Sequence, residues 1–230
     1  MAEIHFARGE NMNRNSKIAV VIPVGPESEG EIFDIDCFAF ARHVYIFNPT
    51  KRSPMKFDLA FPHPLGITEA NRQGFMRALE LEPDIICLCD CGSYSAHLER
   101  ILDFHLTSGK PVTITARRNP RWEKWTGKVG SRIVHYAARW ILGLPFKDNC
   151  SGLYVFTHRS PPWEVKYVIR DIQSKHHFFD TELRYRLLRY FDPSDIAEYT
   201  ADNIVTGGNT ANWKELKDTV VNFYRLWRTR

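Results

Sequence analysis

The feature that most constrains the fold is an unbroken apolar run near the start of the chain. Residues 18–22 (IAVVI) follow one another without a polar side chain, and Pro23 stops the run. A strand with one face in water alternates apolar and polar residues, whereas a central strand of a parallel sheet is covered on both faces and reads as a continuous apolar run. The run therefore predicts a buried strand over residues 16–23.

Strand and helix patterns then alternate along the chain. Short runs of β-branched and apolar residues predict strands, and apolar residues at helical spacing predict helices. The predicted strands cover residues 43–47, 84–88, 112–116, 151–157 and 196–201, and the predicted helices cover residues 29–42, 67–81, 96–107, 127–142, 179–189 and 212–227. Residues 48–64, rich in Pro, Lys and Arg, predict a loop with a short strand. This order predicts a doubly wound α/β sheet that binds its ligands outside the carboxyl ends of the strands.

The composition fits one globular domain. The chain has 230 residues, of which 43% are hydrophobic and 25% charged, a mixture that can bury a sizeable core. Residues 1–16 are polar and mixed in charge and predict a flexible N-terminal segment, which leaves residues 17–230 for the domain. Since no apolar run is long enough to span a bilayer and residues 1–16 lack the apolar stretch of a secretory signal, we expect a cytoplasmic protein.

Three cysteines alternate along one predicted strand. Alternation places Cys87, Cys89 and Cys91 on one face, and their spacing lacks the C-x-x-C pattern of zinc sites. We therefore expect buried, reduced thiols, in agreement with a cytoplasmic location.

Positive charge is concentrated in one part of the chain. Between Arg117 and Arg139 lie seven basic residues and one acid, Glu123. The cluster follows a predicted strand and leads into a predicted helix, a position suited to an anionic ligand such as a phosphate, a nucleic acid or an acidic lipid surface. A solvated helix face is the alternative interpretation.

Polar and charged residues also follow several predicted strands. They are Glu27, Asn48, Asp90, Arg117 and Arg118. Acids at strand ends can hold a base, a ribose or a metal ion, and arginines can bind a diphosphate through two hydrogen bonds. On residue chemistry alone, this set fits any nucleotide-binding α/β protein.

These residues lie in a series of motifs that resembles the dolichyl-phosphate mannose synthases, which are GT-A fold, family 2 glycosyltransferases. The strand that leads into Pro23 and Glu27 resembles the opening of that family, and the segment Cys89-Asp90-Cys91 occupies the place of its D-x-D signature. The other matching segments are residues 66–74, 116–117, 131–132, 148–159, 179–183 and, loosely, 208–214. The order and spacing of the motifs, from residue 17 to about residue 228, carry the resemblance.

The resemblance implies a GT-A three-layer sandwich with a mostly parallel central sheet. It also implies transfer of a sugar from a nucleoside-diphosphate sugar to a polyprenyl (dolichyl-type) phosphate, with a divalent Mg²⁺ or Mn²⁺ ion on Asp90. A peripheral association with a membrane or a membrane protein is part of that expectation. The residues expected to contact the donor are Pro23, Glu27, Asn48, Asp90, Arg117, Arg132 and Lys214.

The chain departs from the family pattern at two places. Only one carboxylate, Asp90, remains in the D-x-D segment, and Mg²⁺ and Mn²⁺ prefer oxygen ligands to the flanking thiols. Asn48-Pro49 replaces an aspartate pair that would contact the base and ribose. We therefore expect Arg117 and Arg132 to carry more of the charge stabilisation of the diphosphate leaving group.

The catalytic set expected from the sequence is Asp90, Asp148, Arg117 and Arg132. A phosphate acceptor is already an anion and needs no strong base, whereas a hydroxyl acceptor must lose its proton to a carboxylate. Asp148 is the first candidate for that base and Asp180 the second. Two other functions stay open on the sequence: transfer to a modified base in DNA, with the basic cluster on the phosphate backbone, and non-catalytic binding of a nucleotide sugar.

The last predicted helix is amphipathic. Trp213, Leu216, Val220, Phe223 and Trp227 fall on one stripe, which predicts packing against the sheet. The alternative is a position on a membrane surface, because the same helix carries several basic residues.

Overall fold

The computed structural model describes twelve stretches of the chain: residues 17–23, 43–48, 59–60, 67–89, 95–118, 121–122, 125–149, 151–157, 162–174, 178–201, 205–206 and 213–229. The strands are β1 (Ile18–Pro23), β2 (His43–Asn48), β3 (Leu59–Ala60), β4 (Ile85–Cys89), β5 (Val112–Arg117), β6 (Arg121–Trp122), β7 (Leu153–Thr157), β8 (Ile196–Ala201) and β9 (Val205–Thr206). The helices are α1 (Ile67–Leu79), α2 (Ser95–Ser108), α3 (Trp125–Ile141), α4 (Pro162–Asp171), α5 (Phe179–Tyr190) and α6 (Trp213–Arg228).

Seven of the described strands form one mixed sheet in the order β3-β2-β1-β4-β7-β5-β8. Strand β7 runs antiparallel to both β4 and β5, and the other strand pairs described in this sheet are parallel. Because β7 is reversed, its first residue lies at the edge where its neighbours end, and Cys89 of β4 pairs with Leu153. Residues just before β7 are thereby brought to the carboxyl ends of β4 and β5, where an α/β sheet binds ligands.

Helices cover both faces of this sheet. Successive strand residues point to opposite faces. Phe156 of β7 packs edge-to-face on Phe75 of α1, with ring centroids 5.7 Å apart, whereas Thr157 hydrogen bonds to His105 of α2. Helices α1 and α2 therefore lie on opposite sides, and the three-layer sandwich predicted from the sequence is confirmed.

Most predicted elements are found within a few residues of their expected bounds. Strand β1 is buried throughout its described side chains, residues 18–21, as the apolar run predicts. Cys87 and Cys89 are buried and form no disulfide, as expected, and burial raises the pKa of the Cys87 thiol. The predicted helix over residues 29–42 and Cys91 lie outside the described residues. The sequence patterns did not identify α4, nor the small parallel sheet of β6 and β9.

The packing predicted for the last helix is wrong in part. Phe223 is buried as expected, but Val220 and Trp227 are 60% and 52% exposed, and Leu226 is buried instead. The side chains of Trp213 and Leu216 lie outside the described part of the helix. In the described residues, α6 contacts α3 and packs against the start and middle of α5. The Phe223 ring meets Phe178 edge-to-face at 4.8 Å, and the Tyr185 hydroxyl donates to the Leu226 carbonyl at 3.2 Å.

Among the described residues, the structure contains no helix that is both long enough and apolar enough to span a bilayer.

His105 links the α2 layer to the sheet and makes stability depend on pH. Its Nδ1 and Nε2 lie 2.8 Å and 2.7 Å from the hydroxyls of Thr113 and Thr157, and burial lowers its pKa from 6.5 to about 4. Between those values the unfolded chain binds a proton that the native protein does not. Stability therefore falls as the pH is lowered from 6.5 to 4, by about 3 kcal/mol from this residue.

Urea unfolding from pH 7 to pH 4 measures this dependence. A His105→Gln variant should be less stable at pH 7, yet it should lose less stability than the wild type between pH 6.5 and 4. Parallel pH profiles for the two proteins would contradict a neutral, buried His105.

Candidate active site

Charged and polar side chains converge where β5 ends and β7 begins. Arg117 is the last residue of β5, and Asp148 and Asn149 lie in the segment that leads from α3 to β7. Asp180 belongs to the first turn of α5. The antiparallel course of β7 brings these residues together, because it places the α3–β7 segment at the carboxyl edge of the sheet.

The centre of the site is an ion pair between Arg117 and Asp148. Arg117 Nε donates to Asp148 Oδ2 at 2.5 Å, and Nη2 donates to Oδ1 at 2.8 Å. The backbone N–H of Arg117 also donates to Oδ2 at 3.1 Å. The two side chains are only 5% and 11% exposed. A two-point pair of this kind fixes both groups in position.

This pair changes the roles expected for its members. Both carboxylate oxygens of Asp148 accept hydrogen bonds from a guanidinium that favours their charged form, so Asp148 is poorly suited to take a proton from a hydroxyl acceptor. Two nitrogens of Arg117 are engaged by Asp148. The geometry therefore favours Asp180, the second sequence candidate, as a base.

Asp180 lies half-buried beside a second set of polar groups. The Tyr154 hydroxyl donates to Asp180 Oδ1 at 2.8 Å. Burial raises the pKa of Asp180, and the charge of Asp148 adds to this effect, against the opposing influence of Arg184, Tyr154 and Arg117. A carboxyl with a raised pKa is a stronger proton acceptor when ionised, which suits acid–base work near neutral pH.

Arg184, which the sequence did not single out, lies one turn further along α5 and is fully buried. Its guanidinium donates to the backbone carbonyls of Thr115 and Ser151, at 3.0 Å and 3.1 Å, and to the Ser151 hydroxyl. It also lies over the Tyr154 ring, 5.5 Å from the centroid. Arg184 thus ties α5 to the start of β7 and contributes positive charge beneath Asp180. Leu187 and Leu188 follow Arg184 by three and four residues on the predicted helix. Since residues at this spacing share one side of a helix, these leucines were the sequence signal that Arg184 lies on the buried side.

Helix α3 closes one side of the site. His135 Nδ1 lies 3.3 Å from Asn149 Nδ2, and the nearby Asp148, Arg139, Arg184 and Arg117 all influence its charge, although burial is the main reason why its pKa is lowered. Asn149 is fully buried, and its Oδ1 accepts no hydrogen bond from the described residues. A buried acceptor without a donor marks a position that a water molecule or a ligand can complete.

The remaining predicted site residues are placed less fully. Arg132 of α3 is exposed, as are Arg118 and Arg139 of the basic cluster. Pro23 and Asn48 are the last residues of β1 and β2, and Lys214 lies in the first turn of α6, but the positions of these three side chains are not described. Glu27 and Asp90 lie outside the described residues.

A divalent ion finds no site among the residues that the structure describes. In those stretches, no three His, Cys, Asp or Glu side chains are grouped so that they could hold one. Cys89, which precedes Asp90, is a buried thiol and a poor ligand for Mg²⁺ or Mn²⁺. Asp148 is engaged by Arg117. Asp90, the residue expected to hold the ion, lies outside the described residues.

No protein-family model matches the sequence, and no curated protein matches it at a significant level. Similar solved structures include glucosyl-3-phosphoglycerate synthase from Mycobacterium tuberculosis in complex with Mn²⁺, UDP-glucose and phosphoglyceric acid (TM-score 0.65, 13% identity, 93% of this chain and 80% of that chain). The complex of that enzyme with UDP gives a TM-score of 0.64 at 13% identity, over 93% and 81% of the two chains. The complex with Mn²⁺, UDP-glucose and glycerol 3-phosphate gives 0.64 at 14%, over 94% and 80%. At such identities the likeness establishes the fold, which is the GT-A sandwich predicted from the sequence.

Proposed function

We propose that this protein is a glycosyltransferase that moves a sugar from a nucleoside-diphosphate sugar to a polyprenyl phosphate. The observation that carries the proposal is the cluster of Arg117, Asp148, Asp180 and Arg184 at the carboxyl edge of a GT-A sheet. Ligands of α/β sheets bind at this edge. The proposal is also supported by the similar solved structures, whose protein was captured with UDP-glucose.

The donor is proposed to lie across the ends of β1, β2 and β5. Pro23, Glu27 and Asn48 would contact the nucleoside. Arg117, Arg132, Lys214 and Asp90 would surround the diphosphate. As the bond from the sugar to the diphosphate breaks, negative charge grows on the leaving group, and positive groups fixed beforehand stabilise it at little reorganisation cost.

A divalent ion, if one is used, would rest on Asp90, and its chemistry would be to offset charge on the diphosphate. Since the described residues contain no group of three or more potential metal ligands, the arginines carry the larger share in this proposal.

The acceptor is proposed to be an anion. The similar enzyme was captured with phosphoglyceric acid and with glycerol 3-phosphate, both of which carry a phosphate. A phosphate oxygen attacks the anomeric carbon without first losing a proton, so the reaction needs no general base. If a hydroxyl acceptor is used, Asp180 is the carboxylate proposed to take its proton, with Asp148 held by Arg117.

A transfer assay with UDP-, GDP-, CDP- and dTDP-sugars, with and without Mn²⁺, tests this function. Acceptors in separate reactions are a short prenyl phosphate, 3-phosphoglycerate and duplex DNA containing a hydroxylated base. Sugar transfer to the prenyl phosphate is the expected result. Transfer to DNA alone would show that the acceptor is DNA and not a prenyl phosphate. Nucleotide-sugar binding without transfer or hydrolysis would overturn the enzymatic proposal.

Asp90→Ala is expected to abolish transfer, because no neighbouring carboxylate in the Cys89-Asp90-Cys91 segment can replace it. The matched control is Asp103→Ala on α2, which removes an acid from a helix on one face of the sheet and should leave turnover unchanged. Near wild-type turnover in the Asp90 variant would refute the role given to this residue.

A further inference from the structure

Helices α3 and α6 carry most of the exposed large apolar side chains of the described residues, and this set is here termed the α3–α6 face. Of the large apolar side chains that are exposed in the described residues, all but Tyr167 and Tyr190 belong to these two helices. Trp140 is 82% exposed and Trp227 52%. The two helices contact each other. The members of the face are Ile133, Tyr136, Trp140, Val220, Val221, Tyr224 and Trp227.

The spacing of these residues places most of them along one side of each helix. Ile133, Tyr136 and Trp140 are three and four residues apart on α3, and Val220, Tyr224 and Trp227 are spaced likewise on α6, so each set lies on one side of its helix. On α3 the opposite side is buried through Ala138, and on α6 the buried Phe223 and Leu226 lie next to the exposed set. The apolar residues of the face therefore do not pack into the core.

The charged side chains beside this face are mostly positive. Arg132 and Arg139 of α3, and Lys217 and Arg228 of α6, are exposed beside the apolar residues. The Arg228 guanidinium lies over the Tyr224 ring, 5.8 Å from its centroid. Helix α3 contains no acidic residue, and among the described exposed side chains of α6 the acid is Asp218. Such a surface favours a partner that carries negative charge and can also bury apolar side chains.

We propose that the α3–α6 face binds the surface of a bilayer that contains anionic lipids. Aromatic and aliphatic side chains enter the boundary between headgroups and acyl chains, while arginine and lysine side chains reach the lipid phosphates. Cations near an anionic lipid surface add electrostatic attraction to the burial of the apolar side chains. A nucleic acid would satisfy the cations but would leave Ile133, Val220 and Val221 without an apolar partner. A second copy of this face would bring like charges together.

The position of α3 joins this face to the candidate site. At about 100° per residue, Arg132 and Arg139 lie on α3 between His135, which contacts Asn149 in the site, and the outward-facing Tyr136. One helix thus separates the lipid surface from the site, with two cations along its border. In this respect the inference deepens the proposed function, on which it rests for the lipid-linked acceptor, because the bound membrane would present the acceptor phosphate beside the site.

Sedimentation with vesicles tests the proposal with the full-length protein. Binding to vesicles of phosphatidylcholine with 30% phosphatidylglycerol is expected at 0.1 M NaCl, with weaker binding to pure phosphatidylcholine and at 0.5 M NaCl. Replacing both Trp140 and Trp227 by serine should weaken binding at least tenfold. The matched control replaces Tyr167 and Tyr190, the exposed aromatics on α4 and α5, by serine and should bind as the wild type does. Circular dichroism verifies that both variants fold.

Three outcomes would overturn the proposal. They are no binding to the anionic vesicles, equal binding by the Trp140/Trp227 variant, and a dimer in solution that this variant abolishes while vesicle binding stays absent. Transfer to a short, water-soluble prenyl phosphate separates the two proposals, because the Trp140/Trp227 variant should retain it. Retained transfer without vesicle binding rejects only the membrane face, and vesicle binding without transfer in the wild type rejects only the enzymatic function.

Discussion

Replacing Glu182 by alanine is expected to lower the free energy of unfolding by about 3 to 5 kcal/mol, because it removes one partner from a buried charge network. The Glu182 side chain is 0% exposed and binds two arginines, Arg186 and Arg225, each at 2.6 Å. It also accepts from the backbone N–H groups of Gln173 and Ser174, at 3.2 Å and 2.7 Å. These contacts join α5, α6 and the segment after α4, so alanine leaves several donors without an acceptor.

Urea unfolding at pH 7 measures the loss. The control is Glu80→Gln, which removes a carboxylate from an exposed pair with Arg77 and should change stability by less than about 1 kcal/mol, since surface pairs contribute little. Equal effects of the two substitutions would show that the Glu182 network does not stabilise the fold.

The same network adds to the loss of stability in acid. Burial raises the pKa of Glu182, but the hydrogen bond from Ser174 and the charges of Arg186 and Arg225 outweigh burial, so that the pKa lies below its ordinary value of 4.5. A carboxylate with a lowered native pKa stabilises the protein above pH 4.5, and this contribution disappears as the pH falls through the native value. His105 lowers the free energy of unfolding as the pH falls from 6.5 to about 4, a range that begins above that of Glu182.

The strand and helix order could be predicted because each element has its own pattern. The continuous apolar run of β1 and the β-branched residues of β5 each predict a buried strand without reference to the rest of the chain. Helix α4 was missed although its sequence carries a helix pattern, since Pro162 stands in the first turn and Val165, Val168 and Ile169 are three and four residues apart. The reversed direction of β7 has no local signal, since antiparallel and parallel neighbours bury the same side chains.

The site was predictable in its residue types but not in its pairings. The positions of Arg117 and Asp148 follow from motif spacing, yet their mutual ion pair depends on the tertiary approach of two segments 31 residues apart. Trp140 and Trp227 show the opposite failure. Their helical spacing suggests a core stripe, but which side of a helix faces the core depends on the tertiary neighbours of α3 and α6, which the spacing does not show.

The second large effect is expected at the Arg117–Asp148 pair. Arg117→Met leaves the nearly buried Asp148 carboxylate without its guanidinium, and Asp148→Leu leaves the guanidinium without its carboxylate. Each single change should lower the free energy of unfolding by about 3 to 5 kcal/mol. The double variant should be much less destabilised than the sum of the two, because neither charge is then left buried without the other.

Transfer activity should respond differently from stability. If the pair positions the diphosphate, we expect the double variant to recover most of its stability and still to lose transfer by roughly a hundredfold or more, since removing one stabilising donor from an active site typically has that effect. The exposed neighbour gives the control, because Arg118→Met should leave unfolding unchanged to within about 0.5 kcal/mol. Urea unfolding and the transfer assay on all four variants test both parts. A double variant with wild-type turnover would mean that the pair only holds the fold together, and the diphosphate would then have to be stabilised by Arg132 and Lys214.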